Sequence, residues 1–168
     1  MGVTLLSVFN AALSEVSEKA ITNIETAALI NPKVRDMRDR WEGVTVAACE
    51  VYPFDFAQIN EQLNRLEDTP LGFDYAYQVP AGFLRKVTYT YDGDKYNPVD
   101  DVTLQNGTLC TNSDVLYACF ISRPRAVRPE LWPQIYADYI AFKLAAIISP
   151  STLDESRVNR IRAGMKDT

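Results

Sequence analysis

The sequence predicts an α+β fold, a helical bundle from the N- and C-terminal segments with a small antiparallel β unit inserted between them. Three observations predict it. Apolar residues recur at helical spacing over most of the stretch from Thr4 to Leu66 and again from Glu130 to Ile148. Between these stretches, from about Leu84 to Ile121, the period changes to two and turn dipeptides appear. At 168 residues, 47% hydrophobic and 23% charged, the chain has the composition of one ordinary globular domain.

The elements follow in order. Leu5, Phe9, Ala12 and Val16 make one apolar stripe and predict a helix from Thr4 to Lys19. Ala20 to Ile30 has mixed polarity and no clear period. Asn31 is a good N-cap, and Pro32 suits the first helical position. Val34, Met37, Trp41, Val44 and Ala48 then form a narrow apolar seam that carries a second helix to about Val51. Its opposite face places Arg35 before Asp39, Asp36 before Arg40 and Arg38 before Glu42, each four residues apart. That face reads either as solvated surface or as a surface that pairs with copies of the chain or with a partner ring.

An aromatic segment, Tyr52-Pro53-Phe54-Asp55-Phe56-Ala57, follows, then a predicted third helix from about Phe56 to Leu66 with Ile59, Leu63 and Leu66 inward. Asp74 to Pro80 is a short extended piece stopped by proline. Its tyrosines read as packing groups rather than base-stacking platforms, because no basic residue lies among them. Leu84 to Tyr91 alternates as a half-buried strand and runs into Asp92-Gly93, a hairpin turn. Val102 to Gln105 and Thr108 to Cys110 flank Asn106-Gly107, a second hairpin. Val115 to Ile121 is apolar on both faces and reads as a central strand, giving four or five strands in all. A long helix is expected from Glu130 to Ile148. A last one is expected over 151–168, capped by Ser151 and made basic by Arg157, Arg160, Arg162 and Lys166.

Composition narrows the chemistry. The chain has no histidine, which excludes Ser-His-Asp and Cys-His nucleophiles and every imidazole metal site. Cys49, Cys110 and Cys119 form no C-x-x-C pair, and they read as small buried hydrophobes in a reducing compartment. No phosphate-binding glycine loop or EF-hand is present. The formal net charge of -5 argues against avid nucleic-acid binding. No signal peptide or membrane span is expected, so the protein is expected to be made in the cytoplasm. No catalytic group, metal or cofactor is expected. The competing enzymatic reading is a carboxylate-based peptidoglycan hydrolase using two of Glu50, Asp55, Glu61, Asp100 and Asp101, and nothing in their spacing selects a pair.

The order of motifs adds a resemblance. The helix opened by Asn31-Pro32 leads to Pro53-Phe54-Asp55-Phe56-Ala57, then to Leu63-Asn64-Arg65-Leu66 and to Phe73-Asp74-Tyr75-Ala76-Tyr77-Gln78-Val79-Pro80. The hairpin end Gly107-Thr108-Leu109-Cys110-Thr111 and the Ala-rich helix from Trp132 to Ile148 complete the set. Together they resemble the tail tubular protein A family of short-tailed bacteriophages, from about Leu5 to Ile148. Pro53, Phe54, Phe56, Tyr75, Tyr77 and Pro80 are the motif residues; Phe54 stands where the family pattern commonly has tryptophan.

The resemblance implies a structural virion protein of the tail and neck, a head-to-tail adaptor. It would form a ring of about twelve copies between the portal protein and a tail nozzle similar to tail tubular protein B, with DNA as passing cargo. Within it, Arg35, Arg38, Asp39 and Glu42 are expected at subunit contacts, and Arg157, Arg160, Arg162 and Lys166 at the portal. A decoration or assembly factor that forms no ring is the other alternative.

Overall fold

Local chemistry sets the helix ends. In the computed structural model, which describes residues 2–149, α1 spans Leu5–Glu15. Thr4 and Ser7 form a reciprocal capping box: Thr4 Oγ1 accepts from the Ser7 amide at 3.1 Å, and Ser7 Oγ accepts from the Thr4 amide at 3.0 Å. The helix stops four residues short of the expected Lys19 because Ser17 turns left-handed at φ 58°. The Ser17 amide then bonds Ser14 O and the Glu18 amide bonds Leu13 O, closing the last carbonyls.

The stretch left without a period contains a helix, α2, over Ile24–Ile30. Asn23 caps it by accepting from the Thr26 amide at 2.9 Å, and Glu25 sits favourably in its first turn. Asn31 then serves two helices. Its backbone N–H closes α2 on Ala27 O, and its side chain accepts the Lys33 amide at 3.0 Å to open α3, Pro32–Val51. The expected seam faces inward: Val34 and Met37 are fully buried and Trp41, Val44 and Ala48 half-buried.

The described chain forms two compact units, residues 2–48 with 127–149 and, inserted in the sequence between them, Cys49–Ala126. One further short helix, α4, Arg123–Ala126, ends the second unit, and in the first unit α1 packs along α5, Gln134–Ile148. That helix begins later than the expected Glu130. Pro129–Leu131 forms one 3-10 turn, and Pro133, which has no N–H to donate, takes the N-cap position. The ring of Trp132 lies edge-on to Tyr136 at 5.3 Å and 6.4 Å from Trp41. Tyr136, wholly buried, donates its hydroxyl to Thr45 O at 3.1 Å. Thr45 is also wholly buried, and its own hydroxyl has no partner among the described residues. A buried, unpaired hydroxyl costs about 1–3 kcal/mol. Thr45→Val keeps the shape and should raise stability by about 1 kcal/mol, read as a higher denaturant midpoint at unchanged slope.

The second unit is built of six strands in two three-stranded sheets, all pairs antiparallel. The strands are β1 Gln58–Gln62, β2 Tyr75–Gln78, β3 Phe83–Thr90, β4 Thr103–Gln105, β5 Thr108–Thr111 and β6 Tyr117–Ser122. The first sheet runs β1-β6-β3, the second β2-β5-β4. The predicted third helix is therefore not formed. Asp55–Ala57 is a single 3-10 turn, and the chain then extends because β6 offers an unpaired edge, with Ile59 opposite Phe120. Past β1 the chain changes sheets. Leu63 N still bonds Leu116 O, but Leu66 N bonds Ala76 O and Asn64 O accepts from Gln78 N.

Val115 to Ile121 reads correctly as the centre: β6 lies between β1 and β3 and is buried from Ala118 onward. Asn106 and Gly107, at φ 51° and 78°, make the expected tight turn from β4 to β5. Asp92-Gly93 also turns, but no hairpin follows; β3 pairs with β6, and Val99 N returns a bond to Tyr89 O. Register shifts between Phe83 and Arg85 and between Lys86 and Thr88 break the expected alternation, so Tyr89 and Thr90 are both buried. Leu63, Tyr77, Tyr89, Leu109, Leu116, Ala118 and Phe120 form the core of this unit. The expected tail helix, with Arg157, Arg160, Arg162 and Lys166, lies outside the described residues.

Candidate functional site

The candidate site is a set of surfaces rather than a cleft. The first is the outer face of α3. Arg35, Asp36, Asp39, Arg40 and Glu42 are exposed and Arg38 is half-buried. Arg38 grips Asp39 Oδ1 through Nε at 3.0 Å and a terminal nitrogen at 2.9 Å, and reaches Glu25 of α2 at 3.3 Å. Those carboxylates, Asp39 foremost, raise the Arg38 pKa above its ordinary value. Two expected pairs, Arg35 with Asp39 and Asp36 with Arg40, are not made: Arg35, Asp36 and Arg40 form no ion pair with any described residue. Exposed pairs of this kind gain a few tenths of a kcal/mol at most, too little to hold long side chains together. The face therefore presents charges of both signs, Arg35, Asp36 and Arg40, that form no ion pair among the described residues.

The second surface is the aromatic segment after α3. Tyr52, Phe54 and Phe56 form a ladder of half-buried rings, with centroids 5.5 and 5.7 Å apart. Around it the backbone is tied down. Gln58 Nε2 donates to Pro53 O and to Asp55 Oδ1, both at 2.8 Å, and Arg125 Nε donates to Phe56 O at 2.9 Å. Arg85 donates to Glu50 O at 3.1 Å and Val51 O at 2.6 Å, capping the negative end of α3. Nothing in the sequence near Arg85 announces this role, since its targets lie 34 and 35 residues earlier.

Tyr77 is buried and donates its hydroxyl to Ser113 O at 2.8 Å, so the packing reading of this tyrosine holds. Tyr75 is half-buried, with the Arg65 guanidinium 4.5 Å over its ring. Pro80 is half-buried and ends β2 by opening the turn into β3. Tyr75 and Tyr91 line an open cleft of about 430 Å³ with Asp101, Asn112, Ser113 and Asp114. Tyr91 OH donates to Asp101 and lies 2.6 Å from Thr111 Oγ1, which clasps the loop after β3 to β5.

Burial pushes the Tyr77, Tyr89 and Tyr91 phenols above their ordinary value of 10. The folded chain thus keeps protons that the unfolded chain has lost. Their contribution to stability is complete below pH 10 and declines as pH rises through the folded values. Alkaline unfolding should begin above pH 10, and Tyr91→Phe should flatten the fall; the denaturant midpoint followed from pH 9 to 12 measures both.

The carboxylates considered for hydrolysis, Glu50, Asp55, Glu61, Asp100 and Asp101, are all exposed. Asp92 and Glu130 are held below the carboxylate range, Asp92 first by Asn97 and Glu130 first by its own backbone amide. A general acid needs the opposite displacement. The three cysteines are buried thiols, and burial pushes the Cys119 pKa up, away from the reactive thiolate. Among the described residues no group of three metal-ligating side chains is assembled, and no helix is long and apolar enough to cross a membrane.

Sequence reasoning missed a third surface. Leu29 and Ile30, at the end of α2, are 79% and 84% exposed. A groove of about 500 Å³ lies between the start of α1 and the start of α5. Leu29-Ile30 directly before Asn31-Pro32 was the available signal, but an apolar pair beside a helix start reads as core. No protein-family model matches this sequence, and no curated protein is significantly similar to it.

Proposed function

We propose that this chain is a structural subunit of a phage head-to-tail adaptor, forming a ring of about twelve copies between the portal protein and the tail nozzle. The observation that carries the reading is the ordered set of segments at 53–57, 63–66, 73–80, 107–111 and 132–148. Their roles in this chain support it. Pro53, Phe54, Phe56, Tyr77 and Pro80 shape a scaffold, and α3 leaves Arg35, Asp36 and Arg40 exposed without described ion-pair partners.

On this reading Arg35, Arg38, Asp39 and Glu42 contribute to contacts between copies. The strands of the inserted unit meet the nozzle or a neighbouring copy. Arg157, Arg160, Arg162 and Lys166 dock on the portal. The net charge of -5 per copy suits a conduit that lets DNA pass without holding its phosphates.

Native mass and class-averaged electron microscopy, on the protein alone and mixed with the portal ring of the same virus, test the proposal. A complex with about twelve copies per portal is expected, and removing residues 151–168 should abolish it. A folded monomer that never associates would reject the adaptor. Association without a closed ring would favour an assembly factor. Turnover of peptidoglycan, lost on substituting one carboxylate, would favour the hydrolase.

A further inference from the structure

A closed ring of identical subunits joins two different patches, head to tail, because a patch that meets itself stops at a dimer. The first unit carries two apolar patches of opposite shape. One is convex: Leu29 and Ile30 project from the end of α2. The other is concave, the groove of about 500 Å³ lined by Val3, Thr4, Val8, Ala11, Ala137 and Asp138, among others.

The two lie toward opposite ends of α1. The groove follows residues 2–11 at its beginning. The start of α3, immediately after Ile30, is tied by the Lys33–Glu18 ion pair to the segment that follows its end. A Leu29-Ile30 projection therefore sits away from its own groove and is available to the groove of another copy.

The charges match as well. Arg35, in the first turn of α3, has no ion-pair partner among the described residues, and Asp138 on the groove wall is exposed and accepts a hydrogen bond from Gln134 Nε2 at 2.8 Å. A cation thus stands near the projection and an anion on the groove wall.

We infer that Leu29 and Ile30 of one copy insert into the α1–α5 groove of the next, with Arg35 approaching Asp138 across the contact. The inference rests on the ring reading and specifies its interface. Two branched aliphatic side chains in an apolar slot form the dry centre of a contact, and the mixed charges of α3 form its rim. One such contact is small beside the roughly 1,000 Å² that a stable interface buries, so a template ring would be needed to hold it closed.

Ile30→Cys and Ala11→Cys, carried by separate subunits and mixed under mild oxidation with and without the portal ring, test the contact. The native thiols are buried and do not compete. An interchain disulfide at least tenfold above a control pair of Ala11→Cys with Leu71→Cys is expected, Leu71 being 99% exposed. Arg35→Asp or Asp138→Arg alone should lower the yield, and both together should restore it.

Rings in the micrographs with no disulfide above the control would overturn this interface and leave the adaptor reading standing. Disulfide dimers that never become rings would support the contact and reject the ring. Neither product, with or without the portal, would overturn both. If the Ala11→Cys thiol is protected in monomers and exposed when the chain is cut after Ser149, residues 150–168 of the same chain fill the groove and the inference fails.

Discussion

Replacing Phe120 with alanine should destabilise the protein by about 4 kcal/mol, within the range for emptying a phenylalanine site in a core. Phe120 is 1% exposed in β6, the strand between β1 and β3. It stands opposite Ile59 on one side and Lys86 on the other. Its ring stacks on Phe83 with centroids 5.1 Å apart and planes 26° from parallel, a geometry that adds about 0.5–1.5 kcal/mol beyond area burial. Alanine forfeits the ring contacts and leaves a void in the core that Phe120 shares with Tyr77, Tyr89 and Leu109, residues on hydrogen-bonded strands that cannot close around it cheaply. Phe120→Leu retains most of the volume and should cost about 1.5 kcal/mol. Urea unfolding followed by circular dichroism measures both. Equal losses for the two variants would show that the ring stack rather than volume decides the site. A loss below about 1 kcal/mol for alanine would contradict the central place of β6.

Much of this architecture is legible in residues whose structural meaning is local. Asn31-Pro32 states a helix start because the amide oxygen finds the Lys33 N–H two residues on. Asn106-Gly107 states a tight turn because both residues accept positive φ. Asn23 with Glu25 carries a comparable statement for α2, overlooked because a seven-residue helix offers too few apolar residues to show a period.

What the sequence hides is set from elsewhere. Ile59, Leu63 and Leu66 are spaced as well for a helix as for any core, and only the β6 edge, some sixty residues later, makes Gln58–Gln62 a strand. The bulges in β3 likewise belong to its pairing with β6 rather than to its own alternation. The candidate surfaces follow the same rule. The charge pattern of α3 was readable, but that Arg38 would turn to Asp39 and Glu25 depends on where α2 comes to rest. Leu29 and Ile30 stand directly before the Asn31-Pro32 helix start, but an apolar pair there reads as core, and its exposure is set by where α2 ends in the fold.

Gly82→Ala should cost about 3 kcal/mol, although the substitution adds one methyl group to an exposed position. Gly82 occupies the third position of the turn from Pro80 to Phe83, closed by Phe83 N on Pro80 O at 3.2 Å, and it holds φ at +73°. Any L side chain pays about 1–2 kcal/mol for that conformation. A Cβ there would also stand 2.7 Å from Pro124 Cδ and 3.3 Å from Cγ. The proline ring has little freedom to withdraw, because Arg123 N donates to Gly82 O at 2.8 Å and holds the two segments together. Gly93→Ala provides the comparison: its φ is +82°, but the added atom would meet the Tyr117 ring no closer than 3.4 Å. The backbone penalty is common to both, so the difference in their denaturant midpoints isolates the collision with Pro124. Gly82→Ala should be the worse by about 1–2 kcal/mol, and Pro124→Ala in the same chain should recover most of that difference. Equal effects of the two glycine substitutions would place the whole requirement in the backbone and none in the approach of the proline.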